Sequence, residues 1–132
     1  MIRRDYIQRL VEQAAASLKK IVGLRQEKKH EEAYQVLQAA LRELINLDAK
    51  LVLALAARDL RDLLSIDPSQ AAGKGLVTAD LLAEYAATLA DRGETEQAGE
   101  LRLKAAELYR WVATLPGGKT AVEASGPAKS CL

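Results

Sequence analysis

Apolar residues recur at helical spacing along most of the chain. Over 2–25, Tyr6, Ile7, Leu10, Val11, Ala14, Leu18, Ile21 and Val22 share one side of a helix, with Arg9, Glu12, Lys19 and Lys20 on the other, which predicts one long amphipathic helix. A polar turn, KKHE at 28–31, leads to a second helix over 31–47. Its stripe is Ala33, Leu37, Ala40, Leu41, Leu44 and Ile45, and Glu31 and Glu32 sit in its first turn, where the helix dipole favours acids. Over 49–66 the stripe changes sides, from Leu51 and Leu55 to Leu60 and Leu64. That change predicts two short helices with a break near Arg58–Asp59, Asp48 capping the first and Asp59 the second. Asp67-Pro68 ends this region, because the residue before proline avoids helical angles.

SQAAGKGLV, Ser69 to Val77, contains two glycines and reads as a loop. Thr78 then caps a helix running to about Arg92, with Leu82, Tyr85, Ala86 and Leu89 inward, and Gly93 ends it. A further helix from about Thr95 to Thr114 carries Ala98, Leu101, Ala105, Leu108 and Val112. Pro116 to Leu132 shows no helical stripe and reads as a tail. No stretch alternates like a strand. The expected fold is all-α: about six helices in antiparallel pairs, one domain over 1–115 and a C-terminal tail over 116–132.

Two turns echo each other. KKHEEA, Lys28 to Ala33, aligns with GETEQA, Gly93 to Ala98, and each has a second alanine seven positions on, Ala40 and Ala105. Small residues at that spacing let antiparallel helices approach closely. The pattern resembles the tetratricopeptide repeat. Leu82, Tyr85, Ala86, Leu89, Gly93, Ala98 and Ala105 carry the resemblance in the second copy, and Leu24, Ala33, Leu37 and Ala40 in the first. Arg102 departs from it, where that family prefers a large apolar residue. The resemblance covers about half the chain. It implies a right-handed helical array and a role in binding proteins. The family's carboxylate clamp is not implied, because Asp80, Ala83 and Ala87 occupy the corresponding positions. The opening, MIRRDYIQRLVEQ, is also similar to the start of a family of small bacterial helical proteins of unknown function.

Composition supports helices packed on helices. The chain is 49% hydrophobic with no Phe, so its core must be built of Leu, Ala, Val and Ile. Net charge is +1, which gives no global pull toward nucleic acid or anionic lipid. The charge is uneven, with eight basic and three acidic residues in the first 30 positions. One reading is a solvated face of the first helix; the other is a basic surface that docks on acidic residues of another subunit. Cys131 is the single cysteine, so no internal disulfide can form. The start lacks a signal-peptide block. The longest apolar run, LVLALAA from Leu51, is far short of the ~20 residues that cross a bilayer. The expected location is the cytoplasm.

The chemical motifs each have a plainer account. ATLPGGKT, Ala113 to Thr120, matches a relaxed phosphate-binding loop, but that loop needs a strand before it and a helix after it. A helix end stopped by proline and glycine explains the same residues. Glu27 and His30 form one E-x-x-H, whereas a di-iron bundle needs two and this chain has one His. A zinc site fails on the same count. Ser17, Ser65 and Ser69 lack a nucleophile turn. Arg3, Arg4, Arg9, Lys19 and Lys20 are broken up by Asp5 and Glu12, and no groove-reading motif follows.

No catalytic, metal or cofactor residues are therefore assigned, and no membrane or nucleic-acid partner. The expected function is a non-catalytic protein–protein interaction module, and a homodimer is an expected form of it, through Tyr6, Ile7, Leu10, Val11 and Leu18 of the first helix with Trp111 and Leu115. Trp111 lies off its helix's main stripe and either packs on the first helix or the tail, or anchors an interface. The rival classes are a small-ligand or enzymatic helical bundle and a nucleic-acid accessory protein. ATP with magnesium should leave the melting temperature unchanged; micromolar binding abolished by Lys119→Ala would reinstate the phosphate-loop reading.

Overall fold

The computed structural model describes residues 2–132, apart from the side chains of residues 2–4 and of Ser130. Arg3 and Arg4 of the basic footprint thus lie outside the described side chains. Among the described residues the regular structure is entirely helical. In chain order it comprises α1 (Ile2–Gln26), α2 (His30–Ile45), α3 (Ala49–Ala54) and α4 (Ala57–Leu64). A single 3-10 turn, Pro68–Gln70, leads to α5 (Ala71–Asp91), α6 (Thr95–Ala113), α7 (Gly118–Ala124) and α8 (Gly126–Cys131). None of these helices is long and apolar enough to cross a membrane.

The two turns that echo each other in sequence share one backbone geometry. Lys28 and Gly93 both take the left-handed conformation, with φ of 62° and 83°. The next amide then reaches back to the helix it has left: Lys29 N–H to Leu24 O at 2.8 Å, Glu94 N–H to Leu89 O at 2.9 Å. The following helix opens alike in both, with Ala33 N–H on Lys29 O at 3.0 Å and Ala98 N–H on Glu94 O at 3.1 Å. This is the left-handed closure that satisfies orphan carbonyls at a helix end. It folds α1 against α2 and α5 against α6 as antiparallel pairs, and α1 and α2 both pack on α5.

Helix α5 is the hub. Val77 to Ala86 are buried without interruption, so this helix shows no single apolar stripe. Ala98 and Ala105 on α6 are buried as expected, at 1% and 0% exposure, and α6 packs on α5. The buried threonines on α5 find local partners. Thr78 Oγ1 donates to Lys74 O at 2.7 Å and Thr88 Oγ1 to Glu84 O at 2.8 Å.

Several expectations need correction. Among the described residues there are eight α-helices rather than about six. Ser69–Val77 is no loop, because α5 already begins at Ala71. Gly75 is required by packing instead: a Cβ there would lie 2.9 Å from Val112 Cγ2 and 3.0 Å from the Trp111 ring. Thr78 therefore sits inside α5 and caps nothing. The break in 49–66 falls at Leu55–Ala56, with Ala56 at the cap position and Asp59 in the first turn of α4. Asp48 does occupy the cap position of α3, but its carboxylate goes to Arg42 at 2.9 Å rather than to the helix.

The segment read as a tail is folded onto the domain. α7 and α8 pack on α5 and α6, burying Val122, Ser125 and Ala128. Helices of seven and six residues are too short for a stripe to show. A readable signal was present in Ser125-Gly126-Pro127. Ser125 Oγ caps α8 by accepting from Ala128 N–H at 3.2 Å, and Pro127 sits in its first turn. Gly118 passes so close to the Val112 carbonyl that no Cβ fits.

The shared turn geometry gives opposite expectations at its two left-handed positions. Gly93→Ala should cost about 1–2 kcal/mol, the penalty of a Cβ in this conformation. Lys28→Gly relieves that penalty and should be neutral or stabilising, by up to about 1 kcal/mol. Urea denaturation of both variants is the check. Equal losses at the two sites would show that the turns are not equivalent.

Candidate functional site

Two carboxylates sit one turn apart inside the otherwise apolar run of α5, and both Asp80 and Glu84 are 8% exposed. Glu84 accepts from Arg25 Nη1 of α1 at 2.9 Å, and the same guanidinium donates through Nε to Asp91 at 2.9 Å. Arg25 thus clamps α1 to the C-terminal half of α5. His30 stands at the edge of this cluster, with Nδ1 3.5 Å from Asp91 Oδ2 and no hydrogen-bond partner.

Asp80 is held differently. Tyr109 of α6 donates to its Oδ1 at 2.5 Å, and Ser125, in the turn before α8, donates to the same oxygen at 2.7 Å. Both donors are neutral. Among the described residues Asp80 has no salt-bridge partner. Burial pushes its carboxyl above the ordinary carboxylate range, against the pull of the two hydroxyl donors. Burial and the Asp80 charge together push the Tyr109 hydroxyl upward, so it stays a donor. Burial likewise raises the Cys131 thiol.

A groove of about 380 Å³ opens over these acids. Leu18, Val22 and Gly23 of α1 form one side, Pro127 of α8 forms the other, and Asp80 and Glu84 lie at the buried end, with Lys19 and Gln26 on the exposed rim. Gly23 leaves open space, since a Cβ there would meet nothing within 4 Å. Val22 and Gln26 also border a second, more polar hollow of about 530 Å³ around Arg25, Lys28, His30 and Asp91.

The expected interface residues differ in burial. Tyr6 is 59% exposed, while Ile7 is buried. Ile7 borders a small hollow with Leu63 and Ile66, beyond the end of α4. Leu10, Val11 and Leu18 are half-buried against the core. Only Leu18 of the seven lines the groove. The Trp111 ring lies against Gly75 near the start of α5 and is half-buried, as is Leu115.

Asp80, Glu84, Tyr109 and Ser125 are not among the site residues that sequence periodicity and motifs single out. One signal was available, since the run VTADLLAEYAATLA holds only two charges in fourteen residues. Charges inside a buried helix mark places where function competes with stability. Comparison of the chain with protein-family models, curated proteins and solved structures gives no match.

Asp80→Asn should test how this acid is held. Asn keeps an acceptor for Tyr109 and Ser125 and removes the buried charge. Because the folded state raises this carboxyl above its ordinary value of 3.8, its contribution to stability is fully present below that value. The contribution is lost as pH rises through the folded value. The wild type should therefore lose stability relative to Asp80→Asn as pH rises from 4 to about 7. Urea denaturation across that range reads the difference. A loss of more than about 1 kcal/mol in Asp80→Asn at neutral pH would show that the charge itself stabilises the fold.

Proposed function

We propose that this chain is a non-catalytic protein-interaction module that receives a partner segment in the groove between α1, α5 and α8. The observation that carries the reading is the groove itself. Its sides are apolar, its buried end is acidic, and Gly23 leaves room at its wall for a partner to approach the α1 backbone. Concave surfaces of this mixed kind suit an inserted side chain or peptide. The groove's lining includes no hydroxyl, thiol or imidazole, and its carboxylates are oriented by structural contacts, Glu84 by Arg25 and Asp80 Oδ1 by Tyr109 and Ser125. That favours binding over catalysis.

The tetratricopeptide resemblance supports the same reading. The two equivalent turns make α1/α2 and α5/α6 comparable helix pairs, and α1 lies beside α5, so the first helices of both pairs share the grooved face. The inserted α3 and α4 interrupt the regular array between them.

A second reading, self-association, draws on one observation. Leu63 and Ile66 are 43% and 70% exposed at the hollow beside Ile7, and Tyr6, the chain neighbour of Ile7, is 59% exposed. Exposed apolar residues that cluster mark association surfaces. Sedimentation of the wild type against Ile66→Asp tests it directly, a dimer lost in the variant being the supporting result.

The groove reading is tested by panning a phage-displayed peptide library on the full chain. Enriched peptides should lose binding to Val22→Asp and keep it with Leu103→Asp, a control on α6 where Leu103 is 67% exposed. A library that yields no peptide sensitive to Val22→Asp would overturn the proposal.

A further inference from the structure

We infer that the groove selects a cationic side chain, the guanidinium of Arg or the ammonium of Lys, which pairs with Asp80 while its aliphatic stem lies along Leu18, Val22 and Pro127. This rests on the reading of the groove as a protein-binding site and names the chemistry of the partner segment.

The argument starts from how α5 treats its other acids. Glu84 and Asp91 share the guanidinium of Arg25, at 2.9 Å each. Asp80 lies one turn further from that cation and receives only two neutral hydroxyls, both on Oδ1. Among the described residues Oδ2 has no donor, and it is not sealed from solvent. A carboxylate removed from water and left without a counter-charge is costly to a fold. Hydrogen bonds from Tyr109 and Ser125 fix its orientation but bring no charge. A cation entering the groove supplies the missing charge and finds the acceptor already oriented, which lowers the ordering cost of binding.

The walls match the rest of such a side chain. Lys and Arg carry long apolar stems that lie along apolar surface while the charged head reaches a polar partner. Leu18, Val22 and Pro127 offer that surface above the two acids. A neutral apolar side chain would fill the walls and leave the Asp80 carboxylate buried against it without a counter-charge. The groove therefore discriminates against such ligands by desolvation as well as attraction.

The test uses N-butylguanidinium, with 1-pentanol as the neutral control, titrated into the full chain and followed by amide shifts. Saturable shifts at Val22, Gly23, Asp80 and Glu84 are expected with the cation, weakened at least about tenfold in Asp80→Asn. Pentanol should bind more weakly and be indifferent to that substitution. Thermal melting confirms that the variant is folded. Gly23→Phe, which projects into open space, should block the cation without touching Asp80. Equal cation affinity in wild type and Asp80→Asn, or equal affinity for cation and alcohol, overturns the inference. If peptides sensitive to Val22→Asp are nevertheless recovered by panning, the protein-binding reading stands without it. Those peptides should carry Arg or Lys, and exchange of that Arg for citrulline should cost about tenfold on wild type and little on Asp80→Asn. A wild-type dimer that Asp80→Asn converts to monomer would make a second copy of this chain the occupant and overturn the external partner.

Discussion

A helix buried on every side can carry polar groups only where each finds a partner, and α5 is such a helix from Val77 to Ala86. The surrounding elements are placed by that requirement as well as by apolar contact. Arg25 brings α1 to Glu84, Tyr109 brings α6 to Asp80, and Ser125 brings the turn before α8 to the same carboxylate. Threonines on α5 use their own backbone. Three separate parts of the chain thus converge on two acids, and the groove is the space left between them.

The stripes of α1, α2 and α6 were legible in sequence because each of those helices keeps one side wet. α5 was legible only in its second half. Gly73 and Gly75 looked like loop punctuation, whereas Gly75 is glycine because Trp111 and Val112 crowd it. That information is tertiary and has no local signature. The helices after Pro116 escaped notice because each is under two full turns, although the Ser125 cap and Pro127 announce the last of them. The repeat was legible at its turns, where Lys28 and Gly93 align and share a left-handed backbone. The grooved site was not. Its hydrogen bonds join residues 29 and 45 positions apart, and no periodicity reports contacts of that range.

Asp80 illustrates why the site resisted a reading based on stability. Every pattern used to find helices rewards apolar residues at buried positions, so a buried acid registers as an interruption. In the folded chain it is the acceptor for two elements at once. An Asn could serve those hydroxyls equally well, so the charge is the feature that the internal contacts leave unexplained.

The two walls of the groove are anchored unequally. Pro127 belongs to a segment tied to α5 through Ser125 and to α6 through the close passage of Gly118 under Val112. α1 hangs from a turn whose left-handed residue is Lys28, an ordinary side chain where the matching turn has glycine. Local opening draws on the least stable connection available. The α1 side should therefore act as the hinge of the groove in native-state hydrogen exchange, its amides opening ahead of those of α5, while the α8 side stays with the core.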